Sequence, residues 1–483
     1  MTPAAVIATV LGYIAVLFLV AWLSGRRADN AGFFSGGRRT PWYMAAFAMI
    51  GAAMSGVTFI SVPGSVAADS FSYMEMVAGF TVGQFVVAFL LIPTFYRLRV
   101  VSLYEYLDDR FGIHSHRTGA WFFFISKMLG AALRVYVVCA VLQLLVFDHY
   151  GLPLWANALV TMAFVWLYTQ QGGVQSLIWT DTLKTVCLVG SLVLSIVFIA
   201  DGLGLSARGV VQAVSDSPMS RIFFFDDPAS DRYFWKMFAA GIVLLVAMTG
   251  LDQDMMQRNL SCATPRDSQK NIVLTAVSQI FVIFLFLVLG VLLYLYAGHT
   301  GLELPAKSDQ VFSLVAVDGG LPPVVGILFV VGLISSTYSA AGSALTALTT
   351  SFTVDILQGT RRCDERRLTR LRRSVHLLMA LAMAGVILAF GYLADDSVIN
   401  LVYKVASYTY GPILGMFLFG LFTRRRIRDG WMPWIAVAAP VLSALVQWWA
   451  REAWDYRIGF ELLVYNAAFT MIGMFLVSQR HEK

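Results

Sequence analysis

Long apolar segments constrain this chain more than any other feature of its sequence. Apolar runs of about 20 residues recur about thirteen times, and each is long enough to cross the hydrocarbon core of a bilayer as a helix. Hydrophobic residues make up 58% of the 483 residues and charged residues only 13%, whereas soluble domains carry about 25% charged residues. The sequence therefore predicts an all-α integral membrane protein.

The predicted spans lie near Ala4–Leu23, Pro41–Ala67, Ser72–Phe95, Thr118–Phe147, Pro153–Tyr168, Ser176–Ile199, Tyr233–Gly250, Asn271–Ala297, Pro322–Leu357, Val375–Leu393, Val398–Phe422, Trp431–Ala450 and Phe460–Val477. About 24 Lys and Arg residues fall in one set of loops and about 7 in the other, and Lys127, Arg134, Lys184 and Lys404 lie inside spans. Because basic loops stay in the cytoplasm, we expect the N-terminus outside, the C-terminus in the cytoplasm and a plasma-membrane location, as in a bacterial inner membrane.

Sequence signatures of catalysis are missing from the chain. It contains no HExxH helix, no Walker loop and no nucleophile elbow, which are the short motifs that carry metalloprotease, nucleotide and hydrolase chemistry. The four cysteines do not form a disulfide or zinc pattern. We therefore expect no enzymatic activity and, beyond the lipid bilayer, no nucleic-acid or obligate protein partner.

The second span is interrupted in an unusual way. Between Ala45 and Gly64 it contains three glycines and Pro63, with Ser55, Thr58 and Ser61 close by. Proline cannot donate a backbone hydrogen bond and small residues weaken the helix locally, so we expect free carbonyls near the middle of the membrane. Such backbone is tolerated there only where it lines a cavity or binds something.

A later span carries many hydroxyl groups. Ten serines and threonines occur in the nineteen residues from Ser335 to Thr353, and Ser335, Ser339 and Ser343 would share one helix face because they are four residues apart. Small and hydroxyl residues also allow close helix packing, which is the alternative interpretation of both spans. Together, however, a broken helix and a hydroxyl-rich helix are typical of a secondary transporter. Neutral oxygen ligands suit a monovalent cation such as Na⁺, whereas a divalent ion usually recruits carboxylates.

Three stretches resemble the sodium:solute symporter family. They are Met54-Ser55-Gly56 through Pro63-Gly64, Ser335-Ser336 with Ser339, Ser343 and Asp355-Ile356, and Gly411-Pro412-Ile413-Leu414-Gly415 through Phe422. Further similarity at Tyr96-Arg97-Leu98, Ser102 to Leu107, Arg110-Phe111 and Gln257-Arg258 extends the resemblance over nearly the whole chain. The resemblance implies the leucine-transporter fold in one membrane domain over residues 1–483. Residues 1–40 form an extra helix and loop, 41–422 a five-plus-five inverted-repeat core and 423–483 two C-terminal helices.

The resemblance also implies the ion and its ligands. The sodium site of the family corresponds to the carbonyls of Gly51, Met54 and Gly332 with the hydroxyls of Ser335 and Ser336, and Na⁺ is the only metal expected.

A second sodium site occurs in some family members and would involve Asp181, Ser339 and Tyr338. A small hydroxyl residue at position 338 would favour that site more than tyrosine does. Lys184, one turn from Asp181, offers a simple ion pair as the alternative role of this aspartate.

Arg134 suggests the substrate. A guanidinium inside an apolar span is costly unless it faces a cavity or a partner, and its planar fork suits a carboxylate. A permanent partner such as Asp181 or Glu75 is the alternative. The resemblance implies that Ser55, Thr58, Phe80 and Gln84 face the same cavity, and that Met248 and Thr249 contribute to an inner gate.

The sequence thus predicts a Na⁺-coupled symporter that imports a small organic anion by alternating access. The similarity is greatest to the anion-transporting and sialic-acid-transporting branches of the family, which favours a sialic acid or another sugar acid. An amino acid, a monocarboxylate or a neutral sugar remains an alternative substrate. A proton-coupled transporter and a membrane sensor are alternatives of other classes.

Overall fold

The structure is a computed structural model that describes residues 3–25, 33, 40–98, 102–170, 173–305, 307–393, 398–456, 458–459 and 461–479. Helices account for almost all regular structure in these residues, and the single small sheet pairs β1 (Arg426–Ile427) with β2 (Ser478–Gln479). Most of the predicted loop before residue 40 and the ends of both termini lie outside the described residues.

The α-helices of the first half are α1 (Pro3–Gly25), α2 (Trp42–Ala53), α3 (Gly56–Asp69), α4 (Tyr73–Val86), α5 (Ile92–Leu98), α6 (Glu105–Arg110), α7 (Ile113–Leu142), α8 (Leu154–Thr169), α9 (Gly173–Gly202) and α10 (Ala207–Ser215). Those of the second half are α11 (Phe234–Leu245), α12 (Gln253–Asn259), α13 (Pro265–Thr300), α14 (Val311–Asp318), α15 (Pro323–Ser351), α16 (Gly359–Arg362), α17 (Glu365–Leu393), α18 (Val398–Phe422), α19 (Met432–Trp454) and α20 (Leu462–Leu476). Single π-helical turns follow four of these helices at Val87–Leu91, Gln143–Phe147, Val246–Gly250 and Phe352–Ile356.

The predicted membrane spans are found in the described residues. Nine helices are long and apolar enough to cross a bilayer, and two further spans are bent helix pairs. Two shorter apolar helices, Leu154–Thr169 and Leu462–Leu476, occupy the positions of the remaining predicted spans. The chain is therefore an all-α integral membrane protein, as the sequence predicts.

Two spans are broken, five spans apart along the chain. The α2–α3 pair bends by 55°, and the segment Phe234–Gly250 bends by 73° against α12. The first break lies at Met54 and Ser55, between the predicted interruptions at Gly51 and Gly56, while the helix continues through Pro63 and Gly64. The predicted interruption at Pro63 and Gly64 is therefore wrong. The second break is not predicted from the sequence, which assigned one straight span ending at Gly250. A broken helix at the start of each half fits the five-plus-five repeat.

The C-terminal helix α20 packs against α18 through a specific polar contact. Pro412 lies inside α18 and cannot donate to the carbonyl of Tyr408, four residues earlier. The side-chain amide of Asn466 donates instead to the carbonyls of Ser407 (3.0 Å) and Tyr408 (2.9 Å). The last helix therefore supplies a donor for the one carbonyl, that of Tyr408, that the proline leaves open in a core helix.

Glycine allows a close backbone contact between α4 and α11. A Cβ at Gly79 would overlap the carbonyl of Phe238, and a Cβ at Gly241 would overlap the carbonyl of Met76. Only glycine permits backbones to approach this closely, as is typical of membrane helix interfaces. This contact holds the first broken repeat against the second.

Candidate functional site

The break between α2 and α3 is made by a reciprocal capping box. The backbone N–H of Ser55 donates to the Thr58 hydroxyl, and the N–H of Thr58 donates to the Ser55 hydroxyl, both at 3.4 Å. In an unbroken helix these two N–H groups would donate to the carbonyls of Gly51 and Met54, four residues earlier. The capping box therefore frees the two carbonyls of the broken helix that the family resemblance implies as sodium ligands.

The hydroxyl-rich helix α15 faces this break. A Cβ at Gly56 would lie 3.2 Å from the Ser336 hydroxyl oxygen and would overlap the Thr337 hydroxyl. The Ser335 hydroxyl donates to the Gly332 carbonyl at 3.0 Å, and the Ser336 hydroxyl donates to the Leu333 carbonyl at 2.7 Å. Because each hydroxyl proton is used within the helix, the oxygen lone pairs remain available to a cation.

The other two backbone positions of the proposed sodium site are tightly packed. A Cβ at Gly332 would overlap the ring of Phe59 in α3, and a Cβ at Gly51 would overlap the Thr185 hydroxyl in α9. Gly51 thus lies against α9 and Gly332 against α3. These contacts leave no room for a side chain at either position.

Asp181 contacts its predicted neighbour Ser339 and also a cation that the sequence did not predict. The Ser339 hydroxyl donates to its Oδ1 atom, and the Arg258 Nε donates to its Oδ2 atom at 2.8 Å. The Lys184 Nζ is buried without a hydrogen-bond partner among the described residues, so the alternative Asp181–Lys184 pair is not formed. The phenol of Tyr338 lies beside Thr161 and Cys139, and the structure does not bring it to Asp181. Asp181 and Ser339 meet as predicted, with Arg258 as their added cation.

A central cavity adjoins the break. Its lining includes all the side chains predicted for the substrate and the inner gate, namely Ser55, Thr58, Phe80, Gln84, Arg134, Met248 and Thr249. Phe80 packs edge-on against the ring of Tyr73, with 6.3 Å between ring centroids. One cavity therefore collects residues from the α2–α3 break, α3, α4, α7 and the π-helical turn that follows α11.

Arg134 is a cation of this cavity for which the described residues provide no partner. It is half-buried, and within the described part of the chain it forms no ion pair or hydrogen bond. Glu75 accepts a hydrogen bond from the Phe224 N–H at 2.8 Å, and Asp181 is bound to Arg258. The two alternative partners proposed for Arg134 are therefore engaged elsewhere.

Several residues that line the cavity were not predicted from the sequence. Gln279 of α13 accepts a hydrogen bond from the Gln84 amide at 2.6 Å. Lys127, Asp252 and Tyr410 also line the cavity, and both Lys127 and Tyr410 donate to the Asp252 carboxylate. The intramembrane position of Lys127 was the one available signal, because a lysine inside a span indicates a partner or a cavity.

Metal ligands of the usual kind are not clustered in the described residues. No group of three His, Cys, Asp or Glu side chains there could hold a metal ion. The donors at the break are neutral carbonyl and hydroxyl oxygens, which suit Na⁺ better than a divalent or transition-metal ion.

Comparison with known proteins identifies relatives along most of the chain. A sequence model of the sodium:solute symporter family matches residues 33–435. The human sodium/iodide cotransporter is 26% identical over 428 residues, which cover 85% of this chain and 65% of that protein. The zebrafish (Danio rerio) sodium-coupled monocarboxylate transporter 2 is 24% identical, over 82% of this chain and 63% of that protein. The chain thus spans somewhat less than two thirds of these two relatives.

A bacterial relative matches almost end to end. The sodium/sialic acid symporter SiaT of Proteus mirabilis (strain HI4320) is 23% identical over 96% of this chain and 93% of that protein. Among solved structures, the substrate-bound outward-open state of a Na⁺-coupled sialic acid symporter superposes with a TM-score of 0.83, at 20% identity and 98% coverage of both chains. Mhp1, a nucleobase-cation-symport-1 family transporter, superposes with a TM-score of 0.50, at 14% identity, over 93% of this chain and 96% of that one. The fold is therefore the leucine-transporter fold, as predicted.

Proposed function

The chain belongs to the sodium:solute symporter family, and on that premise we propose that it is a Na⁺-coupled secondary active symporter for a small carboxylate-bearing solute. A sialic acid is the preferred substrate, because a relative of nearly equal length is a sodium/sialic acid symporter. Members of this family are transporters, which confirms the expectation that the chain is not an enzyme.

The segment Met54 to Thr58 carries the proposal. It releases the carbonyls of Gly51 and Met54, and the adjacent Gly56 packs against Ser336 of α15. Met54, Ser55 and Thr58 also line the cavity that contains Arg134. A cation held by the carbonyls would fix the break in one geometry and would thereby shape the substrate cavity. Ion binding and substrate binding thus share one structural element.

Coupling through this segment must be reciprocal. If Na⁺ raises the affinity for the substrate by some factor, the substrate raises the affinity for Na⁺ by the same factor. Rocking of one repeat against the other would then expose the loaded site to the cytoplasm, with Met248 and Thr249 in the inner gate. In this proposal residues 41–422 form the transporting core, the N-terminus is outside and the C-terminus is cytoplasmic.

One sodium ion per cycle is favoured for this chain. Asp181, the only carboxylate of the proposed second sodium site, is neutralised by Arg258 at 2.8 Å, so a second Na⁺ would have to compete with a guanidinium. A Hill coefficient for Na⁺ near one in purified protein is the expected result. A Hill coefficient near two would instead support a second sodium site.

The function is tested with purified protein in proteoliposomes. Thermal shifts are measured for sialic acids, uronic acids, monocarboxylates, amino acids and neutral sugars, with and without Na⁺. Uptake of the best ligand is then driven by a Na⁺ gradient or by a proton gradient of equal size. We expect a Na⁺-dependent shift with N-acetylneuraminic acid and uptake with the Na⁺ gradient only. Uptake driven by protons alone would refute Na⁺ coupling, and a preference for neutral sugars would refute the carboxylate.

A further inference from the structure

Lys127 forms a cationic stripe with Arg134 along α7. The two residues are seven positions apart, which is two helical turns or about 10 Å along the axis, so both side chains leave the same face of the helix. Both line the central cavity and also a smaller adjoining cavity next to Arg258 and Ser343. The stripe therefore connects the central cavity with the smaller one, which is lined by α12, the helix that follows the proposed inner gate at Met248 and Thr249.

The two cations of the stripe differ in their partners. Arg134 has none among the described residues, whereas the Lys127 Nζ lies 3.1 Å from Asp252 Oδ2 and 2.7 Å from Asp254 Oδ2. Lys127 is also the more buried of the two, with 4% of its surface exposed. In this geometry a substrate carboxylate can reach Arg134 but meets Lys127 already neutralised.

Both carboxylates that hold Lys127 belong to the short helix α12. Asp252 is the N-cap of that helix and accepts from the backbone N–H groups of Asp254 (2.9 Å) and Met255 (3.2 Å), so its carboxylate is fixed to α12. Tyr410 of α18 donates to the same carboxylate. Lys127, Asp252 and Tyr410 thus join three helices across one end of the cavity.

Opening this end requires α12 to separate from α7. The 73° bend that follows the π-helical turn Val246–Gly250 is the natural hinge for that movement. Separation would leave the Lys127 ammonium without a counter-charge in a medium of low dielectric constant, which is strongly unfavourable. A new carboxylate beside Lys127 would remove that penalty.

We propose that Lys127 is a second binding station for the substrate carboxylate on the inward path. After Arg134 has bound the carboxylate, the Lys127 ammonium exchanges Asp252 and Asp254 for the same substrate group as α12 moves away. The substrate carboxylate then acts in two steps: it first binds Arg134, and it later replaces the counter-charge of Lys127 so that the inner end can open. The inference rests on the proposed function, because it requires a carboxylate substrate and a cytoplasmic exit at α12.

Three variants in proteoliposomes test this inference. Binding of N-acetylneuraminic acid in Na⁺ and the saturated initial rate of uptake are measured for K127Q, D252N and the double variant K127Q/D252N. We expect K127Q to bind within about threefold of wild type but to transport at least about tenfold more slowly. D252N leaves Asp254 as the counter-charge of the Lys127 ammonium, which stays available for exchange with the substrate, so this variant should transport at least about threefold faster than K127Q.

The double variant distinguishes a binding station from a simple lock, by which we mean an ion pair that only holds the inner end closed and never contacts the substrate. It removes both charges of the pair, so it contains no unpaired carboxylate at position 252 even if K127Q alone proves unstable. A station predicts that the double variant is as slow as K127Q, whereas a lock predicts that it is as fast as D252N. The fast double variant, or parallel loss of binding and uptake in K127Q, would overturn the inference. Wild-type protein that binds no carboxylate would instead overturn the proposed function, and the inference with it.

Discussion

The sodium site is most directly tested by removing one hydroxyl ligand at a time. Ser336→Ala deletes an oxygen that is fully buried and lies near Gly56 in the broken helix. The lost proton donor bonds only to the Leu333 carbonyl of its own helix, so the helix itself should remain intact. Ser335→Ala is equivalent, because its hydroxyl donates to the Gly332 carbonyl.

The expected loss of Na⁺ affinity follows from the kind of contact that each serine variant removes. A polar interaction with a charged group contributes about 1.5–3 kcal/mol, which corresponds to about a 10- to 150-fold change in an equilibrium constant. The Na⁺ concentration for half-maximal uptake should therefore rise by roughly that factor in each variant. By reciprocity, the apparent affinity for the substrate should fall when Na⁺ is limiting and recover when Na⁺ is saturating.

Thr346→Val is the matched control. Thr346 is fully buried in the same helix, and its hydroxyl has no hydrogen-bond partner among the described residues. The exchange keeps the size and the β-branch of the side chain, so Na⁺ activation should stay within about twofold of wild type. Uptake is measured at a fixed substrate concentration while Na⁺ is replaced by choline. Unchanged Na⁺ activation in both serine variants would refute the sodium site at the break.

Three further predictions address the substrate, the core and the C-terminal helix. Arg134→Ala should raise the dissociation constant of a carboxylate substrate about 10- to 150-fold, and calorimetric titration that finds the affinity unchanged would contradict the carboxylate role. Gly241→Ala forces a Cβ into the carbonyl of Met76 and should lower stability by about 1–3 kcal/mol. Gly190→Ala is the control, because no atom lies within 4 Å of a Cβ at that position, and its melting temperature should equal or slightly exceed that of wild type. Equal melting temperatures for Gly241→Ala and Gly190→Ala in thermal unfolding would contradict the role of Gly241. Asn466→Leu leaves the Tyr408 carbonyl, to which Pro412 cannot donate, without its side-chain donor; this costs about 1–3 kcal/mol, and the melting temperature should fall clearly below that of wild type.

The sequence alone determined the class of the protein and much of its proposed site. Hydrophobic runs are local, and each span must satisfy its own backbone in lipid, so periodicity and length were enough to predict the spans. The interrupted second span and the hydroxyl-rich helix were visible for the same reason. Family resemblance then led to the sodium:solute symporters and to a cavity around Arg134, and the structure brings the predicted cavity residues together.

Tertiary structure decided which polar groups are free and which are engaged. The Ser55–Thr58 capping box places the break at Met54 and Ser55 and releases two specific carbonyls, whereas the sequence offered Gly51, Gly56, Pro63 and Gly64 alike as points of interruption. Arg258 reaches Asp181 across 77 positions of sequence and Lys127 reaches Asp252 across 125. Such pairs depend on how helices pack and rotate against one another, and apolar periodicity does not encode that rotation. For buried charges, the partner across the interface determines whether the group serves structure or remains available to a ligand.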